Sequence, residues 1–160
     1  MVNVELVAKY FLLKDTEHNL FDMNIVICNN ENFYEENLRL NIYLFLSQVV
    51  YLAKYNRVLF YGDFHVCGSG PVILESIKLF QTLNGEENFN SLSDKDKNFL
   101  DKIYKSLENA TYEELTNIIH EDPEWLCLKE LTYNVPVMDL KKHINEYKRR
   151  YKGLIAALNI

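Results

Sequence analysis

The chain has 160 residues and a formal net charge of −6, a length that fits one domain able to bury a core without disulfide or metal staples. An acidic chain lacks the lysine and arginine excess that gives proteins their affinity for phosphate backbones, so nucleic acid is not an expected partner. Gly (5) and Pro (3) are scarce while Tyr (11) and Phe (9) are abundant, which favours long helices over a many-turned β-fold.

Val4, Val7, Ala8, Phe11 and Leu12 recur at helical spacing and predict an amphipathic helix over residues 3–14. Residues 23–28 read equally as a short strand or a helical turn, and 29–32 as loop. Residues 37–55 are apolar nearly all round, the pattern of a helix at the centre of a bundle. Asn56 suits a left-handed cap at its end. Residues 58–67 form a connector with strand-like alternation. Gly68-Ser69-Gly70-Pro71 reads as a tight turn feeding a helix over 71–83, with Pro71 at its first position. A polar loop covers 84–91. Ser93 with Asp96 caps the next helix, which carries Phe99, Leu100, Ile103, Tyr104 and Leu107. Thr111 with Glu114 forms a capping box for a shorter helix that Pro123 stops. Pro136 breaks the chain again, and a last helix spans 139–158. It carries the basic cluster Lys141, Lys142, Lys148, Arg149, Arg150 and Lys152, read as a solvated face. No internal repeat or linker divides the chain.

Few residues combine into chemistry. Cys28, Cys67 and Cys127 are scattered and contain no CxxC pair. This argues against structural zinc and for free thiols in a reducing compartment. The glycine turn lacks the lysine and spacing of a phosphate-binding loop. His65, Cys67, His120 and Glu121 are the residues from which a catalytic site would be built, but the sequence supplies neither a positioned base nor an activated thiol. The expectation is a protein that is not an enzyme and holds no cofactor or metal. The N-terminus shows no basic region followed by an apolar run, and the longest apolar stretch, residues 42–53, is too short to cross a bilayer. A cytoplasmic location and no membrane partner are expected. The segment His120-Glu121-Asp122-Pro123-Glu124-Trp125 gathers an imidazole, three carboxylates and the single tryptophan at a helix end, the composition of either a clamped turn or a partner contact.

Several of these stretches, in this order, resemble the Panacea domain of SocA-like antitoxins. Leu38-Arg39-Leu40-Asn41 opens the family's first motif helix, Leu44-Phe45-Leu46 stands where LYF is usual, and Val58-Leu59-Phe60 closes it. Val66-Cys67-Gly68-Ser69-Gly70-Pro71-Val72 looks like the AWxxGPV turn, and Ser93-Asp94-Lys95-Asp96 like the LSxxE helix start. The segment from His120 to Trp125 is similar to the late HxExPW motif. Departures are Cys67 for the usual tryptophan, Asn56 for a common glycine, one extra residue between Pro123 and Trp125, and an insertion over 15–36.

The resemblance implies a mainly α fold: a compact bundle of about six helices with at most a minor strand element. It implies a single domain over 1–160, with a motif-bearing core at 37–130. It further implies an antitoxin that neutralises a cognate protein toxin encoded next door by binding it directly, with a protease or chaperone as a further partner. The alternative is an adaptor or inhibitor of phage or mobile-element origin that binds a host protein. The expected partner-binding residues are Gly70, Pro71, Val72, His120, Glu121, Asp122 and Trp125, with the turn and the late segment packed near each other. Exposed tyrosines and Trp125 are the expected anchors.

Overall fold

Helix α2 (Leu38–Tyr55) is apolar on every side, so it can lose water only by being surrounded. In the computed structural model, which describes residues 2–17, 20–21, 24–28, 31–35, 38–74 and 88–159, it is. Every α2 residue from Leu40 to Ala53 is buried. Around it stand α1 (Val4–Lys14), α3 (Asp94–Leu107), α4 (Tyr112–His120) and α6 (Ile144–Arg150). The fold is mainly α, with seven α-helices among the described residues. Asn56 ends α2 at φ 54°, and its N–H donates to Leu52 O at 2.9 Å, the left-handed cap its sequence predicts.

Two polar side chains on this buried helix reach sideways to neighbouring backbone, and a third bonds within the helix. Gln48 Oε1 accepts from Leu59 N (2.9 Å) and Phe60 N (3.3 Å), while its Nε2 donates to Phe60 O at 2.9 Å. Asn41 Oδ1 accepts from Ile73 N at 2.9 Å. Ser47 Oγ turns inward and donates to Tyr43 O at 2.7 Å. Buried polar groups persist when their hydrogen bonds are made. Gln48 and Asn41 use theirs to fix the two ends of the chain between 59 and 73.

The flanking helices start where their caps predict. Ser93 Oγ accepts from Asp96 N (3.1 Å) to open α3. Thr111 and Glu114 form the full capping box of α4. Asn3 Oδ1 accepts from Glu5 N at 2.9 Å and opens α1.

The strands are three short pairs. β1 (Val2–Asn3) runs parallel to β4 (Phe60–Tyr61). β2 (Asn24–Cys28) and β3 (Glu31–Glu35) form an antiparallel hairpin within the 15–36 insertion, which resolves residues 24–28 as strand and moves Glu31 and Asn32 from the expected loop into β3. β5 (His65–Cys67) pairs with β6 (Gly70–Val72) across the glycine turn.

Four expectations are corrected. Pro71 lies in β6 and does not open a helix: the hairpin bonds of β5 and the Asn41 bond to Ile73 N hold this stretch extended. The rest of the expected helix at 75–83, and of the polar loop at 84–87, lies outside the described residues. Pro123 does end α4, yet it also opens the short helix α5 (Pro123–Leu128) at its first position, with Asp122 as cap. The last helix is divided into a 3-10 turn (Leu140–His143), α6 and α7 (Lys152–Ala157), because Tyr151 leaves helical geometry (φ −97°, ψ 14°) as its ring turns into the core. Finally, Cys67 is disulfide-bonded, whereas Cys127 is a free, exposed thiol. Spacing along the chain concealed this, since scattered cysteines do not show which strands the fold brings together.

Candidate functional site

The turn after β5 is shaped by what lies beneath it. Gly70 has φ 146°, a region that side chains rarely enter, and a Cβ there would sit 3.1 Å from Ile119 Cγ2 on α4. Glycine therefore lets β6 lie directly against α4. Gly70, Pro71 and Val72 are all buried.

The late segment begins as α4 ends. Asp122 Oδ1 accepts from Glu124 N and Trp125 N, both at 2.9 Å, and so opens α5. That turn brings Trp125 back over the glycine hairpin, where its Nε1 donates to Cys67 O at 3.3 Å. The outer face of the indole is covered by His120, stacked with ring centroids 4.7 Å apart. Glu124 faces the C-terminal segment: Oε1 accepts from Asp139 N at 3.1 Å and Oε2 pairs with His143 Nε2 at 2.6 Å. Arg150, on α6, donates to the carbonyls of Glu121 and Ile118 at the end of α4, where a cation meets the negative end of the helix dipole. The turn and the late segment thus form one unit, joined by the Trp125 hydrogen bond and by the contact of Gly70 with Ile119.

A family model described as antitoxin SocA-like, Panacea domain, matches residues 40–126. The chain belongs to this family. No curated protein and no solved structure matches it. The matched stretch begins on α2, next to Asn41, and ends just past Trp125, so it contains both halves of the unit described above.

In this Panacea domain the motif residues are largely internal. Gly70, Pro71, Val72, Asp122 and Trp125 are buried, and only His120 and Glu121 of the seven expected contact residues are exposed. Trp125 is 8% exposed, so it clamps the hairpin to α4 and is no free anchor. Glu124, which the sequence reading left out of the site, is also buried and ties the unit to the C-terminal segment. Asn41 was missed too, because within an apolar run it carried no signal beyond being polar.

Electrostatics centre on Asp122, which has no exposed surface. Burial raises its pKa above the ordinary carboxylate value, while the backbone donors of Trp125 and Glu124 pull it down. The Tyr147 hydroxyl sits beside this carboxyl, and burial together with the Asp122 charge holds it firmly protonated. Asp122 Oδ2 and the hydroxyls of Tyr147 and Tyr151 are buried without well-aligned partners among the described residues. Among those residues no group of three or more His, Cys, Asp or Glu is placed to hold a metal ion. No described helix is long and apolar enough to cross a membrane.

Exposed apolar side chains lie just beyond the motif. Leu126, Leu131 and Val137 are exposed on consecutive elements after Trp125. Val137 forms an isolated bridge with His65, and its neighbours bond the chain around β5 through Val66 N to Pro136 O and Met138 N to Phe64 O, both at 2.8 Å. Sequence reading treated this stretch only as a break at Pro136.

Proposed function

We propose that this protein is an antitoxin that neutralises a cognate protein toxin, encoded beside it, by direct binding. Membership of the SocA-like antitoxin family carries the reading. The buried motif residues act as the frame, and the contact surface is what that frame displays: His120 and Glu121 at the end of α4, with Leu126, Leu131 and Val137 following. Exposed apolar side chains beside a rigid unit, rimmed by charge, are the usual makings of a protein interface. The chain's acidic balance suits a basic toxin, since complementary charge speeds and selects encounters.

The test is neutralisation by surface variants. Glu121→Arg combined with Leu126→Asp should abolish toxin neutralisation and co-purification with the toxin while leaving helical circular dichroism unchanged. Retained neutralisation would place the contact surface elsewhere. Capture of a host protease or defence protein, with no effect on the neighbouring gene product, would favour a host-directed adaptor or inhibitor instead.

A further inference from the structure

We propose that the cavity between the last turn of α2 and helices α6–α7, ringed by Lys54, Lys148 and Lys152, binds a small phosphorylated ligand of nucleotide class. The cavity measures about 570 Å3 and is completed by Ala53, Ile155, Ala156 and Asn159. It is a shallow depression open to solvent, so it would grip the charged end of a ligand more than enclose the whole of it.

Its lining is one-sided in charge. Three lysines from three separate helices, α2, α6 and α7, converge on it, and no carboxylate lines it. This is unusual for the molecule, which carries 23 acidic against 17 basic side chains. Elsewhere cations find carboxylates: Lys14 pairs with Asp101 at 2.7 Å, Arg149 with Glu146, and Lys142 approaches Glu124 at 4.0 Å. Lys54, Lys148 and Lys152 have no ion-pair partner among the described residues. Lys148 and Lys152 stand four apart on consecutive helices, so Lys54 supplies the third charge from across the cavity. Like charges gathered without counter-charge repel, and a bound polyanion removes that repulsion. Lysine ammonium groups are compact point charges suited to phosphate oxygens.

The remaining lining gives the ligand a body as well as a tail. Ala53, Ile155 and Ala156 offer an apolar floor for a planar ring, and Asn159 an amide at the rim. The Asn159 backbone is itself held, its carbonyl accepting from Lys102 Nζ at 3.1 Å. An apolar floor beside a lysine ring fits a base joined to a phosphate chain better than it fits an inorganic anion. The site shares no residue with the proposed contact surface at His120, Glu121, Leu126, Leu131 and Val137, and it does not depend on the antitoxin reading.

Isothermal titration of the full chain with adenosine and guanosine triphosphates tests this, with inorganic triphosphate and a short single-stranded oligonucleotide as comparators. The expected result is saturable binding of one nucleotide per chain, stronger than inorganic triphosphate. Lys148→Gln/Lys152→Gln should weaken it by about tenfold or more, whereas Lys105→Gln on α3 should leave it unchanged. Lys105, Lys148 and Lys152 are at exposed positions, where substitution leaves folding intact, so lost binding will not reflect lost folding. Absence of nucleotide binding overturns the proposal, as does equal weakening by Lys105→Gln, which would mean diffuse charge. Tighter binding of the oligonucleotide than of either nucleotide also overturns it, because the lysines would then track a polymer backbone.

Discussion

Burying the Asp122 carboxyl costs free energy that its two cap hydrogen bonds only partly offset, and the direction of its pKa shift fixes the pH dependence. A carboxyl whose pKa is raised on folding holds its proton longer in the folded chain than in the unfolded one. Its contribution is therefore most favourable below the unfolded value, near 4, and is lost as pH rises through the folded one. Asp122→Asn keeps a side-chain oxygen for the cap and removes the charge. Relative to the parent, this variant should be more stabilising at neutral pH than at about pH 4, near the ordinary carboxylate value, read from urea midpoints at each pH. A difference that stays flat would mean the carboxyl is not penalised. Asp122→Ala, which removes the cap, should cost about 1 kcal/mol or more at either pH. Gly70→Ala tests the hairpin in the same way. With φ at 146° and Ile119 Cγ2 at 3.1 Å, it should destabilise by about 1–3 kcal/mol, whereas an unchanged urea midpoint would show that the turn relaxes freely.

At the scale of elements, the domain is organised by what α2 and Glu124 hold. Gln48 and Asn41 anchor the β4 to β6 connector to the central helix. Glu124 anchors the segment from Asp139 to His143. Removing Glu124 leaves the Asp139 N–H and a half-buried His143 without their acceptor, so Glu124→Ala should destabilise by on the order of 2 kcal/mol. Amide hydrogen exchange should accelerate mainly across 139–158. Uniform acceleration throughout the chain would contradict this anchoring role. Helix ends were legible in the sequence because caps are local: Ser93 and Thr111 with Glu114 at helix starts, and Asn56 at the end of α2, each act within four residues. Pro71 and Tyr151 were misread because their conformations are set by distant partners, a hairpin and Asn41 for one and core burial for the other. The Cys67 disulfide was hidden for the same reason, as sequence spacing does not show which strands the fold brings together.

At the scale of the whole molecule, the motif order pointed to the family and to the meeting of the turn with the late segment, and Trp125 joins the two. What the motifs did not reveal is which residues face outward. A motif marks where side chains matter, and burial decides whether they matter as frame or as surface. Here Gly70, Pro71, Val72, Asp122 and Trp125 are frame, and His120 and Glu121 are surface. The antitoxin reading stands or falls on a growth experiment: expression of the adjacent gene in a bacterial host, with and without this protein. The account predicts that the neighbour arrests growth, that this protein restores it, and that the two co-purify. A neighbour that is harmless, or whose toxicity this protein leaves untouched, would contradict it.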